Sequence, residues 1–250
     1  MKDIHDIERD EVSFFAKYYK DAGYNRTGSR LRFMRELSSL RRHLKGPAGN
    51  VLSIGCGDGE FEFMLSPYAN RITALDLSQE SIEIAKSRAA AHGVANVDFR
   101  CQSLRDLQWD RPYDTVVCLA LLHHVSPQEL PGFLAGIYGS LVPGGVFYAE
   151  DPNVHGLLRK IGRLVLRETY HQYHSPDERE LDPSEIEALC RNVGFRDVKI
   201  GYIDFTLIPS VYVVPRKLNW LHYPCVWTDW LWCHSPAARF ASGFTTCAWK

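Results

Sequence analysis

The segment of residues 51–61, with the sequence VLSIGCGDGEF, constrains the fold of this chain more than any other. The apolar run before Gly55 predicts a buried β-strand, and the apolar spacing that starts at Phe61 predicts a helix directly afterwards. Between them, Gly55, Gly57 and Gly59 permit positive φ angles and close approach of a ligand to the backbone. A strand, a glycine turn and a helix start form a nucleotide-type cradle, so we predict an α/β fold with a cofactor crevice at this turn.

The spacing of the glycines separates two classes of cofactor. A dinucleotide-binding turn reads Gly-x-Gly-x-x-Gly, but Glu60 stands where the third glycine would be. The turn is also acidic, with Asp58, Glu60 and Glu62, and this charge disfavours a pyrophosphate at the helix N-terminus. S-adenosylmethionine (SAM) has no phosphate and carries a sulfonium and an ammonium group. The turn therefore favours SAM over a dinucleotide.

Composition and charge limit the remaining possibilities. A chain of 250 residues with 45% hydrophobic residues predicts one domain with additions. The 29 lysines and arginines balance 30 acidic residues, so nucleic acid is not an expected partner. The sequence has no apolar run long enough to span a bilayer, and it starts with the charged segment MKDIHDIERD. These features predict a cytoplasmic protein without a transmembrane segment.

Three later segments follow the glycine turn in an order typical of a known family. Residues 71–76 predict a second strand that ends in Asp76, about 20 residues after the turn, where a carboxylate suits a ribose. Residues 114–120 predict a central strand followed by Leu-Leu-His-His-Val, and a Pro-Gly-Gly turn at 143–145 leads into the next strand. Over roughly residues 45–200 the chain thus resembles the class I SAM-dependent methyltransferases. It lacks the Asn-Pro-Pro-Tyr-type tetrapeptide of enzymes that methylate DNA amines or protein amides, which favours a small-molecule acceptor.

The resemblance implies a Rossmann-like α/β fold, doubly wound around a seven-stranded, mostly parallel sheet. We expect an N-terminal helical cap at residues 1–45 and a SAM-binding domain at 46–250, with substrate insertions at about 151–181 and 206–243. The second insertion is aromatic-rich, since five of the six tryptophans lie beyond residue 215. Three interpretations of it stay open: a pocket wall for a large substrate, contact with a membrane surface, or a dimer interface. Either a monomer or a homodimer is compatible with the sequence.

The resemblance also implies residues that bind SAM and its product S-adenosylhomocysteine. They come from the glycine turn, the ends of the strands and the cap: Gly55, Cys56, Gly57, Gly59, Asp76, Leu77, Ser103, Leu104, Leu119, Tyr24 and Arg32. Asp76 would accept hydrogen bonds from the ribose; the alternative is a helix N-cap, but Ser78 is available for that role. Ser103 stands where the family usually has an aspartate facing the adenine amino group, and its hydrogen bond would be weaker. Arg32 would meet the SAM carboxylate if the cap is a lid, whereas in the alternative the cap packs on the sheet edge.

The two histidines after the central strand, His123 and His124, are the candidate acid/base residues because imidazole titrates near pH ~6.5. One or both could instead be structural. The candidate substrate residues lie in the cap and the insertions: Tyr19, Asp151, Tyr170, His171, Tyr173 and Trp230. We predict no metal site, because the Cys and His residues of the last segment lack a typical zinc-finger spacing.

The predicted reaction is methyl transfer to a bulky, hydrophobic small molecule, on oxygen, as in the biosynthesis of a secondary metabolite or lipid-like precursor. Methylation of nitrogen or carbon, and a non-catalytic SAM-binding module, are the alternatives.

Overall fold

A computed structural model of the protein describes residues 26–107, 109, 112–171, 178–214 and 216–250. Within these residues the chain forms seven β-strands and eight α-helices, in the order α1 (Arg26–His43), β1 (Gly49–Ile54), α2 (Glu60–Leu65), β2 (Ala69–Asp76), α3 (Gln79–His92), β3 (Val97–Cys101), β4 (Tyr113–Leu119), α4 (Leu130–Ser140), β5 (Leu141–Pro152), α5 (Leu157–His171), α6 (Pro183–Val193), β6 (Asp197–Ile203), α7 (Leu207–Val213), α8 (His222–Cys233) and β7 (Gly243–Trp249).

The strands form one sheet in the order β3-β2-β1-β4-β5-β7-β6. Strands β1 to β5 pair in parallel, and β7 runs antiparallel between β5 and β6. This confirms the prediction of a doubly wound, seven-stranded, mostly parallel sheet. The order of the strands reverses between β1 and β4, and in such sheets ligands bind beyond the carboxyl ends of the strands at this switch point.

Helices cover both faces of the sheet, so its central strands are buried on both sides. Helices α4 and α6 pack on one face, while α1, α2 and α3 pack on the other. In β4, Val116, Val117 and Cys118 are all completely buried. A strand covered on both faces reads as a continuous apolar run, which is why the sequence predicted this strand.

The helix boundaries follow local signals in the sequence. The Ser78 side chain caps α3 by accepting from the Ser81 N–H at 3.2 Å, and Gly93 ends that helix with φ 66°. Asp182 caps α6 by accepting from the Ser184 N–H at 2.8 Å. Ser78 is therefore the N-cap of α3, as the sequence indicated, and Asp76 is left for another role.

Helix α1 and the segment that carries α7 and α8 lie together at one side of the sheet. Helix α1 contacts α2, α7 and α8. The segment that carries α7 and α8 leaves β6 at Ile203 and returns to β7 at Gly243; these two residues pair, and Gly243 also pairs with Pro152 at the end of β5. The segment therefore leaves and rejoins the sheet at the end where the parallel strands have their carboxyl ends. Of the helices in the described ranges, none is long and apolar enough to cross a membrane.

Three predicted site residues, Tyr19, Tyr24 and Tyr173, lie outside the described residues, and so does the first predicted helix of the cap.

Candidate cofactor and active site

The glycine turn after β1 is held against the end of β2. The N–H of Gly55 donates to the carbonyl oxygen of Leu75 at 2.8 Å. Gly55, Gly57 and Gly59 have φ angles of 77°, 53° and 79°, in the left-handed region that favours glycine. A Cβ atom at Gly59 would lie 2.8 Å from Cζ of Phe99. Conformation and packing together therefore require glycine at this turn.

Asp76, the last residue of β2, points into the turn. Its Oδ2 accepts from the Gly57 N–H at 2.7 Å, and its Oδ1 accepts from the Ser78 N–H at 2.8 Å. Burial raises the pKa of Asp76, against the lowering effect of these hydrogen bonds. Each carboxylate oxygen has a second lone pair, so Asp76 can hold the turn and still accept from a ribose hydroxyl.

The loop after β3 lies beside Asp76. Cys101, the last residue of β3, pairs with Asp76, and its thiol contacts the carbonyl oxygen of Leu77 at 3.4 Å. Ser103 and Leu104 follow two and three residues later, and a 3₁₀ helix begins at Leu104. The residues predicted to contact ribose and adenine thus lie together at the carboxyl ends of β2 and β3.

The end of β4 forms the opposite wall of the crevice. After Leu119, Ala120 adopts φ 53°, and its N–H donates to the carbonyl oxygen of Glu150 at 2.7 Å. The side chain of Leu121 lies over Gly55, since its Cδ1 is 3.1 Å from the position of a Cβ atom there. The backbone at Ala120 is an unusual conformation for a residue with a side chain, and it turns the chain at the mouth of the crevice.

The acidic character of the glycine turn is largely neutralised by a distant residue. Arg88 on α3 contacts Asp58 Oδ2 at 2.7 Å and forms an ion pair with Glu60. The repulsion of a phosphate expected from the sequence is therefore weaker than the acidic residues alone suggest. The argument against a dinucleotide therefore depends mainly on the spacing of the glycines.

The third acid, Glu62 on α2, has an environment that the sequence did not reveal. It is 2% exposed, and the Ser53 hydroxyl on β1 donates to its Oε1 at 2.6 Å. Burial raises the pKa of Glu62 from 4.5 to about 7, and the charges of Asp58 and Asp76 add to this effect. A serine inside an otherwise apolar strand was the one available signal of a buried polar partner.

His123 is clamped between two carboxylates. Its Nδ1 lies 2.9 Å from Asp151 Oδ1 and its Nε2 lies 3.1 Å from Glu178 Oε1. Its backbone N–H also donates to Asp151 Oδ1, at 3.1 Å. Burial alone would lower the pKa of His123, but the two carboxylates outweigh it and raise the pKa. The two carboxylates therefore favour the protonated form of His123 and fix the orientation of its ring.

His124 lies against the ring of His123, with a centroid distance of 4.1 Å. Its Nε2 is 3.8 Å from Glu178 Oε1. The nitrogen and oxygen atoms that His123, His124 and Glu178 offer all lie within 4.8 Å of one another, and among the described residues this is the one group that could hold a metal ion. Sequence reasoning missed Glu178, because nothing local links it to a histidine 55 positions away.

Arg32 does not face an open crevice. It forms an ion pair with Glu150, and its Nε lies 3.8 Å from Asp204 Oδ2. Both carboxylates would compete with the SAM carboxylate for this side chain. Its role in binding SAM stays a prediction.

The predicted substrate residues fall in different places. Asp151 is buried and contacts His123, whereas Tyr170 and His171 end α5. Trp230 on α8 is 64% exposed, and its ring lies 5.2 Å from the ring of His234. The structure thus brings Asp151 to the histidine pair and leaves Trp230 on an outer face.

Comparison with known proteins identifies the family. Residues 51–145 match the family model described as a methyltransferase domain. The ubiquinone biosynthesis O-methyltransferase of Xanthomonas euvesicatoria pv. vesicatoria (strain 85-10) is 30% identical over 206 residues, which cover 77% of this chain and 82% of that relative. The chain belongs to the class I SAM-dependent methyltransferases.

Two solved structures show the same fold. A SAM-dependent methyltransferase from Archaeoglobus fulgidus has a TM-score of 0.59 at 20% identity and covers 88% of this chain and 94% of its own. A complex of DhpI with S-adenosylhomocysteine has a TM-score of 0.61 at 19% identity and covers 98% of both chains. The predictions of the fold, of an enzyme and of SAM as its cofactor are confirmed, and a non-catalytic module is set aside. The glycine turn and Asp76 fit this cofactor, because Asp76 holds the turn through the Gly57 N–H and keeps carboxylate lone pairs for a ribose hydroxyl.

Proposed function

We propose that this enzyme transfers the methyl group of SAM to an oxygen of a bulky, hydrophobic small molecule. The observation that carries the proposal is the cluster of His123, His124, Asp151 and Glu178 beside the end of β4. A hydroxyl acceptor must lose its proton during transfer, and this cluster supplies a proton acceptor next to the crevice. The relative from Xanthomonas is named an O-methyltransferase, which supports oxygen over nitrogen or carbon.

The two histidines have different roles in this proposal. Both ring nitrogens of His123 already contact carboxylates, so in this proposal His123 positions Asp151 and Glu178 and does not take the proton of the acceptor. His124 is the base, and Glu178 lies 3.8 Å from its Nε2. Holding the acceptor at near-attack distance can contribute roughly 7–11 kcal/mol, and general-base help a further factor of about 10²–10⁴ in rate.

The acceptor binds above the carboxyl edge of the sheet, between the insertions at about 151–181 and 206–243. We propose that Tyr19, Tyr170, His171 and Tyr173 contribute to its pocket, with residues 1–45 as a cap that also brings Tyr24 to the cofactor, whereas Trp230 on the outer face of α8 does not. The two insertions come from separate parts of the chain and both leave the sheet at this edge. In this proposal the enzyme works in the cytoplasm on a small molecule, without nucleic acid.

The test is a methyl-transfer assay with labelled SAM and matched acceptors. A catechol with a long alkyl or prenyl chain should react, the same catechol without the chain should react more slowly, and an amine with the same chain should not react. His124→Gln should lower kcat by about 10²–10⁴-fold with unchanged affinity for S-adenosylhomocysteine. His123→Gln, the matched control, should mainly lower stability. Preferred methylation of the amine, or full activity of His124→Gln, would contradict the proposal.

The same cluster supports a second candidate mechanism, because its ligand atoms lie close enough to hold a divalent ion. An ion bound there would lower the pKa of an acceptor hydroxyl in place of a base. Binding of the ion would require a ring nitrogen of His123 without a proton, because only such a nitrogen can be a metal ligand. Dialysis against EDTA distinguishes the two mechanisms: the base mechanism predicts unchanged turnover, and the metal mechanism predicts loss that is restored by adding the ion.

A further inference from the structure

Helix α8 has its polarity reversed relative to a helix on a water-exposed surface. Its two ionisable residues other than cysteine and tyrosine, Asp229 and His222, are 2% and 0% exposed, while Trp227 and Trp230 are 77% and 64% exposed. Asp229 faces the protein, where it pairs with Arg35 on α1 at 2.5 Å. Surface helices normally turn their apolar side to the core. The outer side of α8 is therefore suited to a phase less polar than water.

The exposed side of α8 and the segments that flank it carry large hydrophobic residues, which we call the tryptophan face. It consists of Leu218, Trp220, Tyr223, Trp227, Trp230, Leu231, Trp232 and Phe240, all exposed large hydrophobic residues. A stable dimer buries about 800 Å² on each partner and involves about 20–30 residues on each side. The tryptophan face has eight large hydrophobic residues, of which five are tryptophan or tyrosine. Tryptophan and tyrosine are instead the residues enriched where proteins meet the headgroups of a bilayer.

The charge around the tryptophan face is positive. Lys217 and Arg239 are both exposed beside it. The only acidic residue between positions 206 and 243 is Asp229, which is buried and paired. A segment with exposed aromatic and basic residues, whose one acidic residue is buried, complements an anionic lipid surface.

The tryptophan face lies on the same side of the molecule as the cofactor crevice. The segment that carries it leaves the sheet at Ile203 and returns at Gly243, opposite Pro152 at the end of β5. The glycine turn that follows β1 lies at this same carboxyl end of the sheet. A surface that rests on a bilayer through α8 would therefore bring the mouth of the crevice close to the lipid.

We propose that the tryptophan face docks the enzyme on an anionic membrane surface. The rings of Trp220, Trp227 and Trp230 lie at the level of the headgroups, and Lys217 and Arg239 contact anionic lipids. This inference goes beyond the proposed function, because docking does not depend on which acceptor is methylated. It also differs from a spanning segment, since the face inserts only to the boundary of the acyl chains, about 5–10 Å deep.

The test measures binding of the full chain to vesicles of phosphatidylglycerol and phosphatidylcholine, and to vesicles of phosphatidylcholine alone. The parent should co-sediment with the anionic vesicles, show a blue shift of tryptophan emission, and be quenched by brominated lipid. The double variant Trp220→Ser, Trp227→Ser should lower the partition coefficient at least about tenfold, because each ring can bury about 150–250 Å². Tyr68→Ser is the matched control, since Tyr68 is 37% exposed and precedes β2 at the opposite edge of the sheet.

Folding and cofactor binding of each variant are checked by its thermal midpoint and by affinity for S-adenosylhomocysteine, both expected to match the parent. Three outcomes would overturn the proposal. One is absence of vesicle binding by the parent. Another is a dimer in sedimentation equilibrium that the double variant abolishes, which would make the face an interface between copies. The third is loss of vesicle binding only in Leu164→Ser, Val165→Ser on α5, which would assign the contact to that helix. None of these outcomes bears on the acceptor assay above.

Discussion

Replacing Glu62 by glutamine should change how the stability of the protein depends on pH. Burial raises the pKa of Glu62 from 4.5 to about 7, so the native state keeps a proton that the unfolded state loses between these values. The contribution of Glu62 to the free energy of unfolding is therefore highest below pH 4.5, falls as the pH rises to about 7, and stays low above it. At 1.36 kcal/mol per pKa unit, this difference corresponds to about 3 kcal/mol of unfolding free energy.

Glutamine has the shape of the protonated carboxyl and no charge at any pH. Within the described part of the chain, Oε2 of Glu62 is buried without a hydrogen-bond partner, so the amide of Glu62→Gln pays a constant penalty, about 1–3 kcal/mol, for a buried donor. That penalty does not change with pH. The difference between the variant and the parent should therefore shift by about 3 kcal/mol in favour of glutamine between pH 4.5 and pH 8.

Urea unfolding of both proteins at several pH values measures this difference directly. Glu83→Gln on α3 is the matched control, because Glu83 is exposed and the substitution removes the same charge. Its effect should stay within about 0.5 kcal/mol at every pH. A difference for Glu62→Gln that does not vary with pH would show that Glu62 is ionised in the native state throughout, and would refute the reasoning from burial.

Three further predictions concern cofactor binding and the histidine clamp. Asp76→Asn should weaken binding of S-adenosylhomocysteine by about 1.5–3 kcal/mol, measured by calorimetry; unchanged affinity would remove Asp76 from the site. Ser103→Asp should bind SAM at least as tightly as the parent by supplying a charged acceptor, and loss of binding would show that Ser103 does not face adenine. Because carboxylates raise the pKa of His123, its stabilising effect should be complete below pH ~6.5 and should disappear as the pH rises through its native pKa. The cost of His123→Gln in urea unfolding should thus shrink in alkaline buffer, and a cost that grows there would contradict the clamp.

The parts of the fold that the sequence predicted correctly depend on local chemistry. The glycine turn needs positive φ at Gly55, Gly57 and Gly59, and few residues other than glycine adopt it. The caps at Ser78 and Asp182 act within three residues. Such features depend on residues that are close together in the chain, so the sequence alone predicts them.

The parts that the sequence could not predict depend on partners far apart in the chain. Arg88 neutralises the glycine turn from 28 positions away, and Glu178 reaches His123 across 55 positions. A helical pattern also shows which residues share a face, but not which way that face points. Trp227 and Trp230 lie three residues apart, which suits a common helical face, and their exposure together with the burial of Asp229 shows that this face points outward.

The position of β7 determines the order in which the molecule can be completed during synthesis. Strand β7 fills the gap between β5 and β6, yet the ribosome makes it after all six other strands. Arg35 on α1 likewise waits for Asp204 and Asp229, which at about 5–20 residues per second are made on the order of ten seconds or more later. A nascent chain therefore passes through a stage in which β5 and β6 each present an open edge, the feature through which strands of different chains aggregate. A chain truncated before Gly243 would stay at that stage permanently.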